Sequence, residues 1–183
     1  AGTLDVLAPL YLWQGKGIEA EIFTKRSLKI GEQALGFDHP HLVPTLTNLV
    51  AVYNHLGKFT EAELLAQRSL NITEKSLGPN HPHVAMALNV LGTSTMGLHS
   101  PQEALPYFER GLRIDEHTIN NVFSLSSEQE KAKFLLLVGH RLDTFQNLVV
   151  RELSANSQAV RLGLDAVLRR KGIILDALAR ERT

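Results

Sequence analysis

Two copies of a His-Pro-His tripeptide are the residues in this chain best suited to binding a metal. They are His39-Pro40-His41 and His81-Pro82-His83. Imidazole nitrogens are good ligands for zinc, nickel and copper. The same tripeptide suits a turn, because proline fixes φ and disfavours helix at the preceding residue. Since it recurs once per repeat, the sequence favours a structural turn and no metal or other cofactor; a metal-dependent regulator is the alternative.

No group of residues in the sequence has the composition of a catalytic site. The chain has no cysteine, which excludes thiolate zinc sites, disulfides and cysteine nucleophiles. It also lacks a Gly-x-Ser-x-Gly motif, a phosphate-binding loop and a His-Glu-x-x-His motif. Asp115, Glu116 and His117 are consecutive, so on a helix they point in different directions. We therefore expect no catalytic residues and no enzyme activity in this segment.

Charge and hydropathy exclude two classes of partner. Lys plus Arg and Asp plus Glu both number 19, so the formal net charge is zero. A nucleic-acid-binding protein needs an excess of cations to displace phosphate counterions, so we expect no nucleic acid partner. No apolar run approaches the roughly 20 residues that a membrane helix needs. The absence of cysteine fits a reducing compartment, and we expect a cytoplasmic location.

A basic run near the end of the chain, 169–171, has two interpretations. It reads Arg-Arg-Lys, and we interpret it as a solvated helix face whose aliphatic stems cover apolar surface. The alternative is a docking patch for an acidic partner or for a downstream domain.

An internal repeat organises the first two thirds of the chain. The two His-Pro-His tripeptides are separated by 81 − 39 = 42 residues. The same offset aligns identical residues at many other positions, including Leu7/Leu49/Leu91, Tyr11/Tyr53, Gly15/Gly57, Ala20/Ala62/Ala104, Ile30/Ile72/Ile114 and Glu32/Glu74/Glu116. A fixed period of this length is typical of a stacked repeat protein, in which one unit cannot bury its apolar face alone.

Each repeat unit has the pattern of two helices. In the middle unit the spacing of apolar residues predicts helices at about 42–56 and 60–77. Thr60 is the predicted N-cap of the second helix. Gly57 is predicted to end the first helix, and Gly78-Pro79 the second.

These residues resemble the tetratricopeptide repeat (TPR) of kinesin light chains, a repeat class that is also widespread in bacteria. The resemblance rests on Asn48-Leu49-Val50, Gly57-Lys58, Glu61-Ala62, Arg68-Ser69-Leu70 and Leu77-Gly78-x-x-His81-Pro82. It covers about 1–120 as three units, 1–41, 42–83 and 84–120. The third unit departs from the pattern, with Thr95 in place of Tyr and His99 in place of Gly.

The last third of the chain has helical periodicity without the repeat. We predict two helices, 127–153 and 157–181, the first opened by a Ser126/Gln129 capping box. They would form an antiparallel hairpin, within 121–183, that caps the stack or links it to a further domain. Segments 125–129 and 167–176 resemble the region between TPR units and the caspase-like CHAT domain of bacterial proteins. That resemblance implies a bacterial parent protein with a peptidase domain beyond Thr183.

The predicted fold is therefore all-α: a TPR solenoid of three helix pairs followed by a C-terminal two-helix capping hairpin. In such a stack the first helices of successive units line a concave groove. TPR geometry implies that the following residues face it and bind a peptide: Asp5, Trp13, Thr47, Asn48, Asn54, His55, Met86, Asn89, Thr93 and Met96. Pro44 and Val90 belong to the same predicted surface. It carries no Lys or Arg, so we expect a mixed polar and apolar peptide and not an acidic tail.

The sequence thus predicts a protein–protein interaction module that binds a peptide or a partner helix in this groove. The resemblance to the CHAT-associated region implies that this segment regulates a downstream caspase-like peptidase. The parent protein's own C-terminal domain is therefore one candidate partner. The alternative is a structural or self-associating scaffold, a homo-oligomer among the options, whose groove is filled by its own segment or by a second copy.

Overall fold

The computed structural model describes residues 7–125 and 128–180, and in these ranges all regular secondary structure is helical. A short 3₁₀ helix spans Pro40–Leu42. The α-helices are α1 Leu7–Trp13, α2 Gly17–Leu35, α3 Val43–His55, α4 Phe59–Leu77, α5 Pro82–Leu98, α6 Pro101–Leu125, α7 Glu128–Glu152 and α8 Ser157–Arg180. None of the described helices is long and apolar enough to cross a membrane.

The chain forms two compact units, which divide between Ala104 and Leu105. In the first unit consecutive helices pack as pairs, α1 on α2, α3 on α4, and α4 on α5. The all-α prediction with sequential helix pairing is confirmed. The predicted boundaries at 41/42, 83/84 and 120/121 stay predictions.

The His-Pro-His tripeptides form the turns that start new helices. His39 Nδ1 accepts a hydrogen bond from the His41 backbone N–H at 3.2 Å, and His81 Nδ1 accepts one from His83 at 3.1 Å. In each copy the proline occupies the first helical turn, where its missing N–H costs no hydrogen bond. The side chain of the first histidine is therefore an N-cap.

The start of α4 differs from the prediction. Gly57 adopts a left-handed φ of 72°, and Lys58 N–H donates to the Tyr53 carbonyl at 2.8 Å. Helix α4 then begins at Phe59 with Lys58 at the N-cap and no side-chain cap. The predicted N-cap Thr60 is wrong, because the glycine turn returns the chain to helix before that residue is reached.

Small buried residues allow the helices of the first unit to approach closely. Ala8 of α1, Ala20 of α2 and Val52 of α3 form one buried cluster. A Cβ on Gly97 of α5 would lie 2.2 Å from the Phe59 ring of α4. A larger residue at this helix contact would force the Phe59 ring to move.

The second unit contains α6 from Leu105 onward, together with α7 and α8. Phe108 packs on Phe145 with ring centroids 5.8 Å apart. A buried ion pair joins Asp115 to Arg141, whose Nε donates to Oδ2 at 2.8 Å. Burial raises the pKa of Asp115 above its ordinary value, although Arg141 acts in the opposite direction.

The C-terminal helices follow the sequence pattern closely. Helices α7 and α8 agree with the predicted 127–153 and 157–181 to within one residue at each end, and they pack against each other. Asn156 accepts a hydrogen bond from Ala159 N–H at 3.1 Å, so it caps α8. Ser126 of the predicted Ser126/Gln129 capping box lies outside the described residues, so the capping box stays a prediction.

Candidate functional site

An open cleft of about 630 Å³ lies in the first unit between α3, α4 and α5. We call it the α3–α5 cleft. Its lining residues are Pro40, Val43, Pro44, Thr47, Asn48, Ser69, Thr73, Ser76, Leu77, His83, Met86, Ala87 and Val90. This volume falls within the roughly 300–1,000 Å³ of typical ligand pockets.

Helical periodicity explains why these residues face one another. On α3, Thr47 and Asn48 follow Pro44 by three and four residues, so both lie beside it on one face of the helix. On α5, Met86 and Val90 are one turn apart and form the opposite wall. Two first helices of adjacent repeats are thereby brought together, as expected for a TPR groove.

The floor of the cleft is formed by small residues of α4. Ser69 and Thr73 are both buried, and Thr73 Oγ1 donates to the Ser69 carbonyl at 2.8 Å. Because this hydroxyl is satisfied within its own helix, it needs no hydrogen bond from an occupant. The small floor residues leave space between the walls, while Leu77 and Val43 make that space apolar.

The α3–α5 cleft carries almost no charge. Its lining residues, as described, include no Asp, Glu, Lys or Arg, and His83 is the one titratable group among them. Asn48 and Thr47 supply polar atoms on one wall. The cleft therefore favours an uncharged segment with bulky apolar side chains and an accessible peptide backbone.

Three of the predicted groove residues meet in this cleft. Thr47, Asn48 and Met86 line it, as do Pro44 and Val90, which were predicted for the same surface. The binding role assigned to them stays a prediction.

Two other predicted groove residues have their side chains engaged within the fold. Asn54 Nδ2 donates to Ser94 Oγ at 3.1 Å, which connects α3 to α5. Thr93 Oγ1 donates to the Val90 carbonyl at 2.8 Å. Neither residue lines the α3–α5 cleft.

The remaining predicted groove residues lie elsewhere. His55, Asn89 and Met96 are not among the lining residues, and Trp13 is exposed near the end of α1. Asp5 falls outside the described residues.

Sequence reasoning missed the contribution of α4. Ser69, Thr73, Ser76 and Leu77 line the cleft although they belong to the second helix of their repeat. One signal was available: Ser69 has Ser27 as its repeat equivalent, which indicates a position where a small side chain is required.

The histidine tripeptides have geometry that suits a turn. The Nδ1 atoms of His39 and His81 already accept backbone hydrogen bonds. Burial and the neighbouring His83 lower the pKa of His81, which favours the neutral ring that can accept such a bond. In residues 7–125 and 128–180 no cluster of three or more His, Cys, Asp or Glu side chains has the arrangement of a metal site.

Comparison with known families identifies the repeat. The model of the family described as "Tetratricopeptide repeat" matches residues 1–75 and, in a second overlapping register, residues 43–117. The chain belongs to the tetratricopeptide repeat family. The two matched spans start 42 residues apart, which is the period of the repeat in the sequence, so the α3–α5 cleft is a surface of a TPR array.

Two solved structures have a similar TPR fold. Both are of a protein from Podosopora anserina described as a kinesin light chain with nearly identical TPR-like repeats, one of them a point variant. Each has a TM-score of 0.60 and 20% sequence identity to this chain. The alignments cover 99% of this chain and 96% of the variant, and 98% of this chain and 92% of the other. No curated protein matches the chain.

Proposed function

We propose that the chain is a protein–protein interaction module whose α3–α5 cleft binds an uncharged peptide segment with bulky apolar side chains. The cleft itself is the observation that carries this proposal: about 630 Å³ of open space between two first helices of a TPR array. TPR domains generally bind proteins, which supports the class of partner.

The chemistry of the lining supports this particular occupant. A charged side chain placed against Val43, Leu77 and Val90 would lose hydration without gaining an ion pair, because the described lining has no Asp, Glu, Lys or Arg. Methionine at position 86 is flexible and polarisable, so it adapts to apolar side chains of different shape. The Asn48 amide has donor and acceptor atoms of the kinds that a peptide backbone pairs with.

The proposal includes a regulatory role, in which the module controls a caspase-like peptidase of a bacterial parent protein. The support for this role is the sequence resemblance of about 120–180 alone. A self-associating scaffold is the competing function, and in that case the occupant of the cleft would be a second copy of the chain.

A peptide selection with matched variants tests the proposal. Peptides selected for binding to the full chain from a random displayed library should be enriched in bulky apolar residues and depleted in charged ones. Met86→Glu should weaken a selected peptide at least tenfold, or about 1.4 kcal/mol, because it places a carboxylate in the apolar wall. Calorimetric titration measures the affinity.

Leu64→Glu is the matched control. Leu64 and Met86 are both exposed on helices of the first unit, but Leu64 does not line the cleft, so its variant should bind within about twofold of the parent. Equal loss of affinity in both variants, or in neither, would refute the assignment of binding to this cleft.

A further inference from the structure

One residue of the α3–α5 cleft belongs to a type that changes its charge near neutral pH. His83 lies in the first turn of α5, and it is the one titratable residue among the described lining residues. Imidazole is the side chain that ordinarily gains or loses a proton between about pH 5 and pH 8. A change of pH in that range can therefore put a charge into a cleft whose other described lining residues carry none.

His83 belongs to the wall that we expect a peptide to contact. Met86 and Ala87 follow it by three and four residues, so both lie beside it on one face of α5, and Val90 follows Met86 by four. One turn of helix rises about 5.4 Å. A peptide that contacts Met86 therefore lies within about one helical turn of His83.

The cleft offers no carboxylate to a protonated His83 ring. The lining residues that 40–48 and α4 contribute opposite α5 are all apolar or neutral polar residues. The ionisable residues next to them in the chain do not line the cleft; they are His39, His41, Arg68, Glu74 and Lys75. A positive charge on His83 would therefore have no partner of opposite sign among the described lining residues.

The ring of His81 packs against the ring of His83, with the two ring centroids 4.9 Å apart. An imidazole is neutral or positive, so His81 cannot stabilise a positive charge on its neighbour. Burial and His83 lower the pKa of His81, and its Nδ1 accepts the His83 backbone N–H at 3.1 Å. This turn therefore holds His83 at the end of the cleft in mildly acidic solution, where the His81 ring stays neutral.

Peptide binding changes the hydration of the His83 ring. His83 is exposed, so water can stabilise its protonated form in the free chain. An uncharged peptide in the cleft displaces part of that water without supplying an ion pair, and burial of an unpaired charge is unfavourable. The positive end of the α5 dipole adds to this cost. The protonated chain should therefore bind the peptide more weakly than the neutral chain.

We propose that His83 regulates the α3–α5 cleft as a pH sensor, so that the cleft binds its peptide when the His83 ring is neutral and releases it when the ring is protonated. This inference rests on the proposed function of the cleft. By linkage, the affinity is full above the pH range in which imidazole titrates and falls as the pH decreases through that range. Binding at mildly acidic pH should also release protons, because the bound chain excludes the proton that the free chain accepts.

Calorimetric titration at two pH values tests the sensor. The ligand is a peptide selected against the full chain at pH 7.5, with blocked termini and no ionisable side chain, so that the peptide itself does not titrate. The temperature is one at which circular dichroism shows the chain folded at both pH values. From pH 7.5 to pH 5.5 the Kd should rise about fivefold or more.

His83→Gln is the test variant, because glutamine is polar but does not titrate. It should reduce the change in Kd between the two pH values to less than about twofold. At pH 6, titrations in two buffers of different ionisation enthalpy should detect proton release for the parent chain and none for His83→Gln. An equal Kd of the parent at both pH values, or a pH dependence that His83→Gln retains in full, would overturn the proposal.

His41→Gln is the matched control. His41 has the same place in the preceding His-Pro-His tripeptide, since 83 − 41 = 42, but it does not line the cleft. Its variant should therefore keep the pH dependence of the parent.

Met86→Glu separates this inference from the proposed function. If Met86→Glu weakens the peptide at pH 7.5 while the Kd of the parent does not change with pH, the cleft is the binding site and the sensor is wrong. If Met86→Glu leaves the Kd unchanged, the peptide binds elsewhere and both proposals are wrong.

Discussion

At the level of single residues, the first histidine of each His-Pro-His tripeptide caps the start of a helix. His81 Nδ1 accepts the His83 N–H, and this hydrogen bond requires an unprotonated Nδ1. The bond satisfies one of the backbone donors that every helix leaves free at its N-terminus. The motif that first indicates a metal is therefore explained by helix capping.

This role predicts a pH-dependent stability. Burial and the neighbouring His83 lower the pKa of His81. The His81 ring therefore takes up a proton near pH 6.5 in the unfolded chain, whereas at that pH it stays neutral in the folded chain. The contribution of His81 to the free energy of unfolding is therefore fully present above pH 6.5 and is lost as the pH falls below that value. Urea denaturation from pH 7.5 to pH 5 should show the decline.

His81→Asn is the matched variant, because asparagine caps helices without titrating. It should lose part of the decline below pH 6.5, whereas His81→Ala should cost about 1 kcal/mol above pH 6.5 and progressively less as the pH falls. If the asparagine variant has the same pH dependence as the parent, His81 does not contribute it.

At the level of helices, sequence periodicity predicts where a helix lies and how long it is better than it predicts which residues the helix contacts. The bounds of α3, α7 and α8 lie within one residue of the pattern at each end, because apolar spacing and glycine turns are local signals. The contribution of α4 to the cleft is not predicted, because helical spacing places Ser69 on a buried face without showing that a gap remains above it and Thr73. TPR geometry implies a groove position for Asn54, and its hydrogen bond to Ser94 is not predicted because the two residues are forty positions apart and share no local sequence signal.

Close helix packing gives a prediction about glycine. Gly97→Ala would place a Cβ 2.2 Å from the Phe59 ring, so that ring must move and the protein should lose about 1–3 kcal/mol. Gly172→Ala on α8 is the control, since its Cβ would meet nothing within 4 Å, and it should gain up to about 1 kcal/mol from helix propensity. Urea denaturation measures both changes, and a neutral or stabilising Gly97→Ala would show that α4 and α5 are not so closely packed.

At the level of the whole molecule, repetition explains both the fold and the departures from it. A bond between successive helix pairs recurs: Glu21 binds Lys58, and 42 residues later Glu63 binds Thr95 and His99, at 2.7 and 3.3 Å. Glu63 binds a threonine hydroxyl and a histidine ring, whereas Glu21 binds a lysine. The sequence predicts the repeat because identity at a fixed offset is visible in the chain, but it does not predict which repeat surfaces stay open.

The central claim is that partner binding occurs in the α3–α5 cleft, and chemical-shift mapping by NMR tests it most directly. A peptide selected against the full chain is titrated into ¹⁵N-labelled protein. We predict that the largest shifts cluster at Thr47, Asn48, Met86 and Val90, and that Leu64 and Ile22 stay unchanged. Shifts concentrated around Ile22 and Leu64, with the cleft residues unperturbed, would contradict the account.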